Sequence, residues 1–147
     1  MDDQKKLLHT IERYKSAMFA INRRMNLLMR ELVPEDLTVD QYLIMSSILS
    51  QGQCTHSELA DIFCVGKSSI TAIISRLFDK NLIRRIPDEK DRRVVYLALT
   101  EEGERVAREA DAALESLLAG YWGHFGEEEI DQFMRTYEKL ASVLQNG

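Results

Sequence analysis

The chain has 147 residues, 45% of them apolar and 29% charged, with a net charge of −5. That is enough for one domain with its own core, and the balance excludes a disordered polyelectrolyte. No apolar run approaches the ~20 residues of a membrane-spanning helix, and the first six residues carry no apolar signal segment, so a cytoplasmic location without a membrane partner is expected.

The predicted elements follow from periodicity and from start and stop signals. Leu7, Leu8, Ile11, Tyr14, Met18, Ile21, Met25, Leu28, Met29 and Leu32 recur at steps of three and four. That spacing predicts a long amphipathic helix, which Pro34 ends. Thr38 with Gln41 has the spacing of a capping box, and Leu37 with Tyr42 that of a hydrophobic staple. A second helix is therefore expected over 39–50, closed by Gly52. Thr55 with Glu58, and Cys54 with Leu59, repeat the signal and predict a short helix over 57–62. After Gly66, an acceptable but weak N-cap, a further helix is expected from 67 to about 80. Ile70, Ile73, Ile74 and Leu77 form its apolar face, and Ser68, Thr71, Ala72, Ser75, Arg76 and Asp79 the opposite one.

Two short runs, 82–86 and 94–99, flank a loop carrying Asp88, Glu89, Lys90, Asp91, Arg92 and Arg93. The β-branched and aromatic residues of the second run favour a strand, and the pair predicts a hairpin with a charged tip. Thr100-Glu101-Glu102-Gly103 opens another helix, expected to reach about 119 before Gly120, Gly123 and Gly126 loosen the chain around Tyr121, Trp122 and Phe125. In the last predicted helix, Ile130, Phe133, Met134, Tyr137, Leu140, Ala141 and Leu144 make one stripe. The fold class is thus mainly α with a small β-wing.

Charge is unevenly placed. From 66 to 93 there are eight Lys/Arg (67, 76, 80, 84, 85, 90, 92, 93) and four Asp/Glu (79, 88, 89, 91), a balance of +4, which leaves −9 for the remainder. A basic module in an acidic body suits a chain that meets DNA at one surface only; the alternative is a solvated charged face. A helix-turn-helix reads DNA by placing its second helix in the major groove. Ser68, Ser69, Thr71, Ser75 and Arg76 are the candidates to reach bases or phosphates, and Lys67 with the first amides of the helix suits a phosphate. The same hydroxyl residues also fit a merely solvated face. In the hairpin, Asp91 lies two residues before Arg93 and can fix the aim of an arginine bound for a narrow minor groove. The alternative is an ordinary surface ion pair, worth about 0–1 kcal/mol. The apolar helices at both ends exceed what the central module can cover, which points to a second copy, and a symmetric dimer suits a palindromic operator in double-stranded DNA.

Enzymatic readings fare badly. Gly66-Lys67-Ser68 shares residues with a phosphate loop, but Asp61 stands where its first glycine belongs, and no Gly-x-Ser-x-Gly or His-Glu-x-x-His occurs.

The chain resembles the MarR family of bacterial winged-helix regulators. The resemblance rests on Ser57-Glu58-Leu59-Ala60, on Lys67-Ser68-Ser69-Ile70-Thr71 through Leu77, and on Leu82-Ile83-Arg84-Arg85, Pro87, Asp91-Arg92-Arg93, Leu97, Leu99-Thr100 and Gly103. It implies a single domain over 1–147, with a winged helix-turn-helix module at 38–100 and a helical dimerisation region at 4–33 and 101–145. It also implies a homodimeric repressor in which Asp91 orients Arg93 for the minor groove while Lys90 and Arg92 reach nearby sugar-phosphate.

Some members sense oxidants through a cysteine in the first helix, where this chain has none. Cys54 and Cys64 read as buried, inert thiols, with Cys64, at the turn between the two helices, a weaker candidate for redox control. With nine residues between them they match no common zinc spacing, and His9, His56 and His124 are far apart, so neither metal nor cofactor is expected. Many members bind a small aromatic or phenolic effector. Tyr14, Met18, Met25, Tyr42 and Met45 are the candidates to line such a site, with core packing as the alternative and Arg23 and Arg24 as partners for an acidic ligand. Other readings of the module are a regulator controlled only by its abundance and a winged-helix protein-interaction module.

Overall fold

The computed structural model describes residues 2–34 and 36–147. Met1 and Glu35, which fall within the N-terminal stretch and the 1–147 domain read from the sequence, lie outside the described residues. The elements are α1 (Asp3–Leu32), α2 (Val39–Gln51), β1 (Cys54–Thr55), α3 (His56–Phe63), α4 (Lys67–Asp79), β2 (Ile83–Pro87), β3 (Val95–Leu99), α5 (Glu101–Trp122) and α6 (Glu127–Asn146). Among the described residues no helix is long and apolar enough to cross a membrane.

Local chemistry accounts for the boundaries. The Thr38 hydroxyl accepts from the Gln41 amide at 3.1 Å and the Gln41 side chain accepts from the Thr38 amide at 3.3 Å, so both halves of the α2 capping box form. Gly52 ends α2 with φ of 85°, a left-handed conformation that favours glycine. At α3, Thr55 accepts from the Glu58 amide at 3.1 Å, but its hydroxyl turns to the Glu58 carboxylate at 3.2 Å in place of a reciprocal backbone bond. Thr55 also belongs to a strand. Cys54 and Thr55 pair antiparallel with Leu97 and Tyr96, adding a strand that sequence reading missed because two residues carry no periodicity. The sheet order is β1-β3-β2, with Ile83 opposite Leu99, Arg85 opposite Leu97 and Pro87 opposite Val95.

The helix expected to stop near 119 instead continues through Gly120 to Trp122. One interior glycine costs a helix only about 1 kcal/mol, and the chain turns at Gly123–Gly126 instead.

Two compact units result, Met1–Asp111 and Ala112–Gly147. The first holds the core: Ile44, Met45 and Ile48 of α2, Cys54 of β1, Leu59 of α3, and Ile70 and Leu77 of α4 are fully buried, joined by Leu82, Ile83, Leu97, Ala107 and Ala110. α1 itself buries no residue, although Met29 packs against this core and Val33 beyond the helix end is buried. In the second unit α6 likewise buries none, and its Phe133 and Tyr137 rings stack with centroids 5.2 Å apart.

Candidate nucleic-acid interface

α3 and α4 form the helix-turn-helix. Leu59 and Ala60 fasten the first helix to the core, and Ile70, Ile74 and Leu77 fasten the second. This anchoring leaves the other side of α4 in solvent: Lys67, Ser68, Ser69, Thr71, Ala72, Ser75 and Arg76 are all exposed. Gly66 supplies no capping side chain, so the positive end of α4 is not covered from its own N-cap. The DNA-facing set expected on this helix thus shares one open surface.

One neighbour of that surface escaped the sequence reading. His56, considered only as a metal ligand, begins α3 and places its Nε2 at 3.0 Å from the Thr71 hydroxyl on α4. A contact between residues fifteen apart on two different helices leaves no trace in spacing.

The wing is the loop from 88 to 94 between β2 and β3. It is closed by hydrogen bonds from the Asp88 amide to the Val94 carbonyl at 3.0 Å and from the Val94 amide to the Asp91 carbonyl at 3.1 Å. Within it Asp91 receives three bonds from Arg93: the backbone amide at 3.0 Å, Nε at 3.1 Å and Nη2 at 3.3 Å. These bonds, the guanidinium's first and the amide's second, hold the Asp91 carboxyl below the usual carboxylate range. The Arg93 side chain nevertheless stays 91% exposed, so it is aimed without being covered. Lys90 and Arg92 are exposed beside it.

The basic residues are not equivalent. Lys80, just past α4, donates to the Gln41 side chain at 2.9 Å and to the Asp36 carbonyl. Its charge serves the packing of α4 against the start of α2. The Arg85 guanidinium lies over the Phe78 ring, 4.1 Å from its centroid. Of the other basic residues here, Lys67 and Arg76 are exposed on α4 and Arg84 on β2, while Lys90, Arg92 and Arg93 gather at the wing tip.

The two cysteines differ, which corrects one expectation. Cys54 is fully buried, and burial, with Glu58 nearby as a second cause, pushes its thiol above the ordinary value. Cys64 is exposed; it is the C-cap of α3, in a left-handed conformation with φ of 53°, at the turn. It is not a core thiol. Among the described residues no His, Cys, Asp and Glu side chains cluster as a metal site would require.

The five effector candidates are divided by the fold. Tyr14 and Met18 lie exposed, one helical turn apart on α1, and Met25 is half-buried. Tyr42 and Met45 are core residues of α2, and the Tyr42 hydroxyl donates to Asp111 of α5. Arg23 and Arg24 border a shallow hollow on α1 with Phe19, Leu27 and Arg30, and the Arg23 guanidinium lies 5.8 Å from the centroid of the Phe19 ring.

Comparison with known proteins fits this geometry. The MarR family model matches residues 37–95, from the staple before α2 to the first residue of β3. The HTH-type transcriptional repressor MdtR of Bacillus subtilis is 32% identical over 118 residues, covering 80% of this chain and 76% of that protein. The chain belongs to the MarR family. Its fold is likewise that of MarR proteins: a MarR family protein from Bacillus stearothermophilus aligns over 98% of both chains with a TM-score of 0.77 at 25% identity. A mutant MarR from E. coli complexed with operator DNA shares the fold at a TM-score of 0.75 and 23% identity, over 91% of this chain and 97% of that one. As a MarR-family protein the chain is a DNA-binding transcriptional regulator and not an enzyme.

Proposed function

We propose that this MarR-family chain is a cytoplasmic homodimeric repressor that binds a palindromic operator and is released by a small aromatic or phenolic effector. α4 enters the major groove with Ser68, Ser69, Thr71, Ser75 and Arg76, while Lys67 and the first amides of α4 meet a phosphate. The wing enters the adjacent minor groove, with Arg93 inserted and Lys90 and Arg92 on the backbone. The observation that carries this reading is the Asp91–Arg93 pair: two bonds from the guanidinium and one from the backbone amide fix an arginine that is almost wholly exposed. The arginines of the helical ion pairs, Arg105, Arg108 and Arg135, are 53–73% exposed, whereas Arg93 presents nearly all of its side chain.

The dimer reading is supported by apolar side chains left in solvent. Leu7, Leu8, Ile11 and Ile21 of α1, and Phe133, Tyr137 and Leu144 of α6, are all exposed. Faces of that kind on helices with no buried residue mark protein contact surfaces, and a second copy supplies matching ones. In domain terms, 38–100 acts as the reader and 4–33 with 101–145 as the dimerisation region of one functional unit. Repression draws support from the likeness to MdtR, a repressor. For the effector, Tyr14, Met18 and Met25 offer surface to a ligand, while Tyr42 and Met45 are reached only if the core opens. Ligand binding acts by changing the separation of the two readers, which misfits one half-site.

The test is a binding titration with DNA from the chain's own promoter region at several salt concentrations. A steep fall of affinity with salt, together with a sedimentation mass of two chains, is expected. Salt-independent binding, or equal affinity for random DNA, would overturn the operator reading.

A further inference from the structure

We propose that His56 positions Thr71 so that this threonine reads the operator through its methyl group, against the 5-methyl of a thymine, and not through its hydroxyl. This inference rests on the placement of α4 in the major groove proposed above.

The argument begins with one proton. The Thr71 hydroxyl lies 2.7 Å from the Lys67 carbonyl, one turn back on α4, and 3.0 Å from His56 Nε2. A hydroxyl has a single proton, and the shorter contact to a carbonyl, which can only accept, takes it. Nε2 of His56 therefore carries its own hydrogen and donates to the Thr71 oxygen. The hydroxyl is thus engaged both as donor and as acceptor inside the protein.

Two bonds from one oxygen also fix the rotamer. Threonine is stiff at χ1, and with Oγ1 held between Lys67 and His56 the methyl occupies a different staggered position. Thr71 remains exposed with its hydroxyl so engaged, which leaves the methyl as its uncommitted group. Its exposed neighbours on the same face, Ser68, Ala72 and Ser75, are small, so they allow base edges to approach closely. In the major groove the complementary apolar group is the thymine methyl, since the other base edges there show donors and acceptors. His56 is accordingly a positioning residue, acting through Thr71.

The experiment uses the full chain and its own operator duplex, with each thymine replaced singly by deoxyuridine. Affinity is read by fluorescence anisotropy. Wild type is expected to lose about fourfold at one thymine per half-site, the worth of one buried methyl. Thr71→Val, which keeps a methyl, preserves that loss, and Thr71→Ser binds thymine and uracil duplexes alike. His56→Ala brings the thymine-to-uracil ratio towards one, and His56→Gln, which retains a side-chain N–H donor, restores it. The ratio is measured on one protein sample, so a change in folded fraction does not move it. A uracil scan silent at every position, or a Thr71→Ser variant that reads thymine as wild type does, overturns the inference. If those results coincide with salt-sensitive operator binding that Arg93→Ala weakens, the regulator reading stands and the methyl reading alone fails. Absence of operator binding by wild type overturns both.

Discussion

A side-chain carbon on Gly103 would stand 2.0 Å from the carbonyl oxygen of Leu82 and 2.9 Å from its carbonyl carbon. The first turn of α5 is pressed against the entrance to β2, and that carbonyl already accepts the Thr100 amide at 3.0 Å. The Thr100 hydroxyl in turn accepts from the Gly103 amide at 3.0 Å and donates to the Asn81 carbonyl at 2.8 Å. Thr100 and Gly103 therefore act as one joint between the wing and α5.

Gly103→Ala is expected to lower unfolding stability by about 2–4 kcal/mol, because backbone, not a flexible side chain, stands in the way of the added methyl. Denaturant titration checks this. A loss under about 1 kcal/mol would mean that the joint yields easily.

Asp91→Ala leaves Arg93 in place but frees it. Ordering a long side chain costs about 0.5–1.5 kcal/mol, so operator affinity should fall roughly twofold to tenfold. Arg93→Ala should cost more, about 1–3 kcal/mol. The carboxyl of Asp91 is lowered in the folded chain, so its contribution is complete above the usual carboxylate range and is lost only as pH falls through the lowered value. The ratio of wild-type to Asp91→Ala affinity should therefore stay flat from about pH 5.5 to 8. A ratio that collapses within that range would show that the carboxylate is not what holds the arginine.

Thiol labelling should separate the cysteines. Cys64 is exposed and should react in the folded protein, whereas Cys54 should react only on unfolding. Because burial raises the Cys54 thiol, the stability it contributes is present below the ordinary thiol value and is lost as pH rises past it. Global stability should accordingly decline on the alkaline side, and Cys54→Ala should blunt that decline. Equal labelling rates for both thiols would contradict the burial of Cys54.

Lys80 and the wing cations should behave oppositely. Lys80→Met removes a donor from Gln41, a buried side chain, and should cost about 1–2 kcal/mol of stability while leaving the salt dependence of DNA binding unchanged. Lys90→Ala and Arg92→Ala should leave stability within about 0.5 kcal/mol and each reduce the salt slope by about 1. A flattened salt slope for Lys80→Met would place that lysine on the DNA.

Much of this architecture is legible in the sequence alone. The box at Thr38 and Gln41, the apolar stripe through Ile70, Ile74 and Leu77, and the Asp91–Arg93 spacing are local signals, and local signals survive in sequence. What stays hidden depends on tertiary approach. The two-residue strand at Cys54 exists only because β3 passes beside it. His56 meets Thr71 through the angle between α3 and α4, and Lys80 reaches Gln41 across 39 positions. The exposure of Cys64 depends on whether another element covers the turn between α3 and α4, which its apolar character does not tell.

The attachment of Lys80 also has a mechanical side. α4 has 13 residues, so its Lys67 end lies about 20 Å from the Lys80 fastening, with Ile70, Ile74 and Leu77 held in the core between them. It is a bar fastened at the start of α2 and along its buried face, and in the operator reading proposed above its Lys67 end works at the base edges. A tilt of the bar by about 5° about its Lys80 end moves the Lys67 end by roughly 1.7 Å, beyond the tolerance of an ordinary hydrogen bond. In that reading the segment carrying Asp36 and Gln41 is linked through α4 to the fit of this protein to its operator, although it lies at the opposite end of α4 from Lys67.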